Sequence, residues 1–121
     1  MSGVSKIAAH IVEANTGDHI LVGPALNYGQ GLAFVVVVGG EKEGTILEIV
    51  CAEANDLAEA RAWRDEVFAE LMRLAVSPQR DPPLMLHNFE DDRDLIKWAC
   101  EVYPCPRLEG LRSRILGGGT A

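Results

Sequence analysis

Residues 32–38 read LAFVVVV, and this stretch decides the fold. The four successive valines are β-branched, and the restricted χ1 angle of such side chains favours a pleated strand over a helix. A half-buried strand alternates apolar and polar residues, whereas this run is apolar throughout. The sequence therefore predicts a central strand from Phe34 to Val38 that is covered on both faces.

The chain that follows predicts a hairpin. Residues 39–44 (GGEKEG) combine glycines with charged residues, as hairpin loops do, and Thr45 to Ala52 is a further run with strand character. Side chains alternate between the two faces of a strand. Glu48 is therefore expected to point to the less buried face of the returning antiparallel strand.

A long amphipathic helix is predicted from about residue 57 to residue 76. Asn55 and Asp56 are good N-cap residues directly before the apolar-periodic run, and Pro78 disfavours the α conformation in the residue before it. The apolar residues share one half of a helical wheel. They are Leu57, Ala60, Val67, Phe68, Leu71, Leu74 and Ala75.

Arg64 falls inside this apolar face, where an unpaired charge is costly. Three arrangements are open: the side chain runs along the sheet to water, it pairs with a carboxylate such as Glu48 or Glu53, or the face continues into a subunit interface. Under the last arrangement, Trp63, Arg64 and Val67 form an interface cluster.

The N-terminal residues fit two structures. Residues 3–15 have apolar side chains at helical spacing, but the run up to residue 22 also reads as a hairpin that turns at residues 15–18. We prefer the helix, with Gly17 in the left-handed conformation as its stop. His19 to Val22 is then a short strand, and Pro24 to Gly31 is a loop because it contains proline, asparagine and glycines.

The C-terminal third predicts a short strand, a second helix and a tail. Leu84 to His87 has strand character, and a helix at about 91–103 opens with acidic residues, which suit a helix N-terminus. Residues 107–115 (RLEGLRSRI) place apolar side chains at helical spacing and carry more arginines than acids. Residues 117–121 are expected to be a disordered glycine-rich tail after a single domain spanning 1–116.

Composition limits the possible classes of function. The chain has 121 residues and a formal net charge of −7, which argues against non-specific nucleic-acid binding because that affinity comes from cations. No apolar run approaches the ~20 residues that span a bilayer, and no secretory signal is visible. Three cysteines, an odd number, fit a reducing compartment better than a disulfide framework. We therefore expect a cytoplasmic protein with no nucleic-acid or membrane partner.

The motifs that carry chemistry are weak. The glycines of residues 23–31 precede a valine strand rather than the helix that a phosphate loop requires, so Asn27 and Tyr28 are the candidates for a small ligand-binding surface there. His87, Asp91 and Cys100 are candidates for a catalytic set. Cys100 lies late in its helix, however, where the dipole does not favour a thiolate. Spacing of cysteines and histidines predicts no metal site, and no cofactor is expected.

These observations predict an α+β protein with a mainly antiparallel sheet of three to five strands and the 57–76 helix packed across it. The preferred function is that of a non-enzymatic interaction or regulatory protein that self-associates as a homodimer, because the valine strand requires cover on both faces. The N-terminal segment or a second subunit could supply that cover. The alternative is a small enzyme or ligand-binding protein that uses His87, Asp91 and Cys100 beside the Gly23–Gly31 loop. A weaker alternative is an acidic decoy of a nucleic-acid-binding protein.

Overall fold

The computed structural model describes residues 2–27, 31–39, 44–76 and 84–102. The described elements comprise three helices and a five-stranded sheet, which confirms the α+β class. In chain order they are α1 (Ser2–Ala14), β1 (His19–Val22), β2 (Leu26–Asn27), β3 (Leu32–Val38), β4 (Thr45–Val50), α2 (Leu57–Ala75), β5 (Met85–Asn88) and α3 (Asp92–Val102). The predicted 107–115 helix, the 117–121 tail and the domain boundary at residue 116 lie outside the described residues.

The sheet is mixed rather than purely antiparallel. Strand β3 pairs antiparallel with β4 along one edge and with β1 and β2 along the other. Strand β5 pairs parallel with β1, so the sheet runs β4, β3, β1, β5, with β2 following β1 along β3. The parallel pair places the carboxyl ends of β1 and β5 side by side.

The valine strand is central and covered on both faces, as its sequence predicts. Phe34, Val36 and Val38 face the core beneath α1 and α2, whereas Val35 and Val37 pack with Leu21 and the buried residues of α3. The three helices therefore provide the cover within one chain. The need for cover does not by itself require a second subunit.

The helix prediction for the N-terminal residues is confirmed, but the predicted stop is wrong. Among the described residues the only positive φ belongs to Gly31, so Gly17 does not end α1 in a left-handed conformation. The buried Asn15 supplies the ending instead: its Oδ1 accepts a hydrogen bond from Gly39 N at 2.8 Å, and its amide donates to Gly17 O. One side chain thus joins the end of α1 to the end of β3.

The two later helices follow the sequence closely. Helix α2 begins where Asp56 Oδ1 accepts from Glu59 N at 2.9 Å, while Glu59 Oε2 accepts from Asn55 N at 2.8 Å. This exchange satisfies N–H groups that a helix start leaves without partners. Asp91 precedes α3 and accepts from Arg93 N at 2.7 Å. Glu48 is exposed on β4, as predicted.

The predicted loop over Pro24–Gly31 contains a short strand. Leu26 and Asn27 pair with Ala33 and Leu32 as β2, so this part of the loop prediction is wrong. Gly31, with φ at +141°, precedes β3 in a conformation that residues with a side chain rarely adopt.

Candidate peptide-binding groove

A groove of about 670 Å³ lies between α1, α2 and the residues that follow β4. Its apolar lining includes Ile7 of α1, Trp63 of α2 and Cys51 at the end of β4. The Trp63 ring is half-buried and lies 5.9 Å from the Phe34 ring, between centroids. The groove is therefore lined by side chains that are anchored in the main core. We call it the acidic groove, for the charges described next.

Three carboxylates line the acidic groove. They belong to Glu53, Glu59 and Glu66, and among the described residues that line the groove none is lysine, arginine or histidine. Glu59 is held by its hydrogen bond from Asn55 N, whereas Glu53 and Glu66 are exposed. An apolar depression with a negative rim is complementary to a segment that carries both apolar and basic side chains.

The helical repeat builds one wall of the groove. Glu59, Ala62, Trp63 and Glu66 are spaced i, i+3, i+4 and i+7, so they form one stripe along α2. On α1, Gly3 and Ile7 are spaced i and i+4 and so lie on one face of the helix. A Cβ added at Gly3 would meet no atom within 4 Å. Small side chains at the groove leave room for an incoming chain.

Cys51 does not give the groove a reactive thiol. Its side chain is buried, and burial raises the pKa of the Cys51 thiol. Because the thiolate is the nucleophilic form, a raised pKa lowers its reactivity near neutral pH. Cys51 therefore contributes apolar surface to the groove.

The predicted interface cluster needs correction. Val67 is fully buried and Arg64 is 6% exposed, so neither side chain presents a surface to a partner. Their helical stripe faces the sheet, which is why the wheel places them with the core residues. Of the three residues, only Trp63 lines the acidic groove.

Arg64 pairs with a carboxylate, as one of the predicted arrangements required, but the carboxylate is that of Asp65, and the side chain also donates to two backbone carbonyls. Its Nε donates to Gly23 O at 3.0 Å, and its Nη2 donates to Val22 O at 3.1 Å and to Asn88 Oδ1. Its Nη1 contacts the exposed Asp65 at 3.0 Å. The guanidinium thus joins α2 to the carboxyl ends of the parallel strands β1 and β5, and it satisfies carbonyls that the sheet leaves there.

The proposed catalytic set is not assembled as the sequence reasoning expected. His87 Nε2 lies 2.9 Å from His19 Nδ1, while the Asp91 carboxylate accepts from the backbone at the start of α3. The Trp98 ring lies 4.6 Å from the His87 ring, between centroids. Cys100 is half-buried in α3. The imidazole of His87 is therefore paired with a second imidazole instead of the expected carboxylate.

The histidine pair is a residue set that sequence reasoning missed. Burial, followed by the charge of His19, lowers the pKa of His87. Parallel pairing of β1 with β5 sets Leu21 opposite His87 and His19 opposite Met85, which brings the two imidazoles to the same face. No local signal in the sequence reveals a pairing between residues so far apart.

A second groove, of about 740 Å³, lies near Arg64 at the carboxyl ends of β1 and β5. It mixes both signs of charge, with Arg61, Asp65 and Glu90 among its lining. It therefore lacks the uniform charge that distinguishes the acidic groove. Of the two weaker candidates for ligand binding, Asn27 is exposed in β2, and Tyr28 lies outside the described residues.

The parts of the chain that the structure describes contain no group of three or more metal-ligating side chains placed to hold an ion. None of the described helices is long and apolar enough to cross a membrane. No family model, curated protein or solved structure matches the chain.

Proposed function

We propose that this protein is a non-enzymatic binding protein whose acidic groove takes a basic, amphipathic segment of a protein partner. The observation that carries this proposal is the combination of Ile7, Cys51 and Trp63 with three glutamates and no cation in the described lining. Helical segments bind in such grooves by placing apolar side chains at i, i+3, i+4 and i+7. Arginines or lysines on the flanks of the segment would meet the glutamates.

The overall charge supports the same partner chemistry. A formal net charge of −7 attracts a basic chain before contact and raises the rate of encounter. The odd number of cysteines supports placing this interaction in a reducing compartment such as the cytosol. The function is therefore that of an interaction or regulatory protein, with recognition governed by apolar contact and opposite charge.

The first test uses a designed helical peptide of leucine and lysine, titrated into the protein by isothermal calorimetry. We expect the double variant Glu53→Gln/Glu66→Gln to bind this peptide about fivefold more weakly, since each exposed ion pair contributes about 0.5 kcal/mol. Glu59 is left unchanged because its carboxylate caps α2.

The matched control is Glu48→Gln/Glu101→Gln, which removes the same charge from exposed residues away from the groove. Glu48 lies opposite Val35, on the sheet face covered by α3. We expect this control to bind the peptide as the unchanged protein does, and a leucine and glutamate peptide not to bind. Equal weakening by both double variants would show that the peptide responds only to net charge, and the proposed groove would be wrong.

A further inference from the structure

We propose that the segment bound by the acidic groove is residues 107–115 of a second copy of this chain, so that two copies exchange their C-terminal segments. This inference rests on the proposed function, because it names the partner for the same groove. Three observations carry it: the charge of the segment, its length, and the place where α3 ends.

The chemistry of the segment complements the groove. Residues 107–115 carry Arg107, Arg112 and Arg114 with a single acid, Glu109. Leu108, Leu111 and Ile115 recur at helical spacing. Three cations and three apolar side chains therefore match three glutamates and an apolar lining.

The lengths also match. Glu59 and Glu66, at the two ends of the α2 stripe, are seven residues apart, or about 10 Å at 1.5 Å per residue. Leu108 and Ile115 have the same separation in sequence, so a helix formed by this segment would extend along the whole stripe. Each copy also offers one groove and one segment, so a reciprocal exchange closes at two copies.

The direction of α3 supports a segment that comes from another copy. Helix α3 begins near Gly23, since a Cβ added at Gly23 would lie 3.0 Å from Leu95 Cδ1. One turn further along α3, the Trp98 ring packs against the His19 ring, with 5.3 Å between the ring centroids. Its last residue, Val102, is one turn further on. Helix α3 therefore ends at the His19 end of β1, on the face opposite α1 and α2.

The acidic groove lies at the other end of the sheet. The groove lies at the start of β3, because Cys51 N donates to Leu32 O. The end of α3 lies at the other end of β3, because Gly39 N donates to His19 O. Seven residues of β3 separate these two positions. That is about 23 Å along the strands, before the chain has crossed to the other face. The five steps from Val102 to Arg107 span at most about 18 Å. This reach is shorter than the path to the groove of the same copy, which favours the groove of a second copy.

The test exchanges charges in the full-length chain and measures mass by light scattering after gel filtration. The unchanged protein is expected at twice the chain mass. Glu53→Arg/Glu66→Arg and Arg112→Glu/Arg114→Glu should each weaken the dimer roughly a thousandfold, because four exposed ion pairs per dimer become repulsions. Each variant alone should then elute as a single chain.

Mixing the two variants gives the decisive result. The basic segment of the first variant fits the acidic groove of the second, and the acidic segment of the second fits the basic groove of the first. A mixture at equal amounts should therefore recover the mass of two chains, with one copy of each variant. Glu48→Arg/Glu101→Arg, the matched charge change away from the groove, should remain a dimer.

The inference and the proposed function can fail separately. An unchanged protein of single-chain mass, a dimer that survives both charge reversals, or a mixture that stays at single-chain mass would overturn the exchange of segments. The leucine and lysine peptide is then titrated into Arg112→Glu/Arg114→Glu, whose groove is intact. Binding there would leave the proposed function standing, and weaker binding by Glu53→Gln/Glu66→Gln would still identify the groove.

Discussion

The two faces of the sheet are covered in different ways. Helices α1 and α2 pack together over one face, and the largest cluster of buried residues lies beneath them. Of the described helices, only α3 covers the other face, with Leu95, Ile96 and Ala99 packed on Leu21, Val35 and Val37. Both faces of the valine strand are therefore covered, one by two helices and the other by α3.

This difference shapes the surface that each face presents. Two helices enclose the acidic groove beside the end of β4. In the described part of the chain, α3 has no second helix beside it on its face, and it closes over the histidine pair through Trp98. The proposed function places binding on the two-helix face, whereas the one-helix face holds the histidine pair.

The largest expected effect tests whether both covers stabilise the fold. Leu71 of α2 and Leu95 of α3 are 0% and 1% exposed. Replacing either by alanine should lower the free energy of unfolding by about 2–5 kcal/mol, through lost burial and the cavity that remains. Urea unfolding of Leu71→Ala and Leu95→Ala measures both values.

Met72→Ala is the control for this comparison, since Met72 is 52% exposed. Its effect should stay within about 0.5 kcal/mol. If Leu95→Ala resembled this control while Leu71→Ala did not, α3 would be a weakly attached cover and the two faces would not be equivalent in stability.

A smaller effect is expected at Arg64, which joins the two-helix face to the ends of β1 and β5. Arg64→Lys keeps the charge but loses the planar fork that reaches two carbonyls and Asn88. We expect a loss of roughly 2 kcal/mol in the free energy of unfolding, because buried acceptors lose their donors. Arg61→Lys, at an exposed site three residues earlier, should change little. If Arg64→Lys and Arg61→Lys lowered the free energy of unfolding equally in urea, the planar fork of Arg64 would not contribute to stability.

Local patterns in the sequence predict the elements better than they predict contacts between them. The valine run fixes β3, and the 3.6-residue period with its capping residues fixes α2, because both signals lie within a few neighbouring residues. The same period places Arg64 and Val67 on the buried stripe. Treating that stripe as an interface is the step that fails, because the sheet already covers it.

The acidic groove was only partly visible in the sequence. Glu59, Ala62, Trp63 and Glu66 form a stripe that the helical period alone reveals. The approach of Ile7 to that stripe depends on the packing of α1 against α2. The histidine pair depends on the parallel pairing of β1 with β5, and Arg64 depends on the same topology. Long-range pairing of this kind leaves no periodic signal.

The smallest expected effect is on the pH dependence of stability, which involves His87 on the one-helix face. Burial and the neighbouring His19 lower the pKa of His87 from its ordinary value of 6.5, so the unfolded chain binds a proton more readily at this residue than the folded chain. The stabilisation is complete above pH 6.5 and is lost as the pH falls through the lowered pKa of the folded state. Urea midpoints should therefore decrease from about pH 7 to about pH 5 less steeply in His87→Gln than in the unchanged protein.

His10→Gln is the matched control because His10 is exposed on α1 and belongs to the two-helix face. Carboxylates also titrate in this range, so the informative quantity is the difference in slope between each variant and the unchanged protein. We expect a difference for His87→Gln and none for His10→Gln. An unchanged slope in His87→Gln would mean that the histidine pair opens to water before it is protonated, and that α3 covers its face less tightly than α1 and α2 cover theirs.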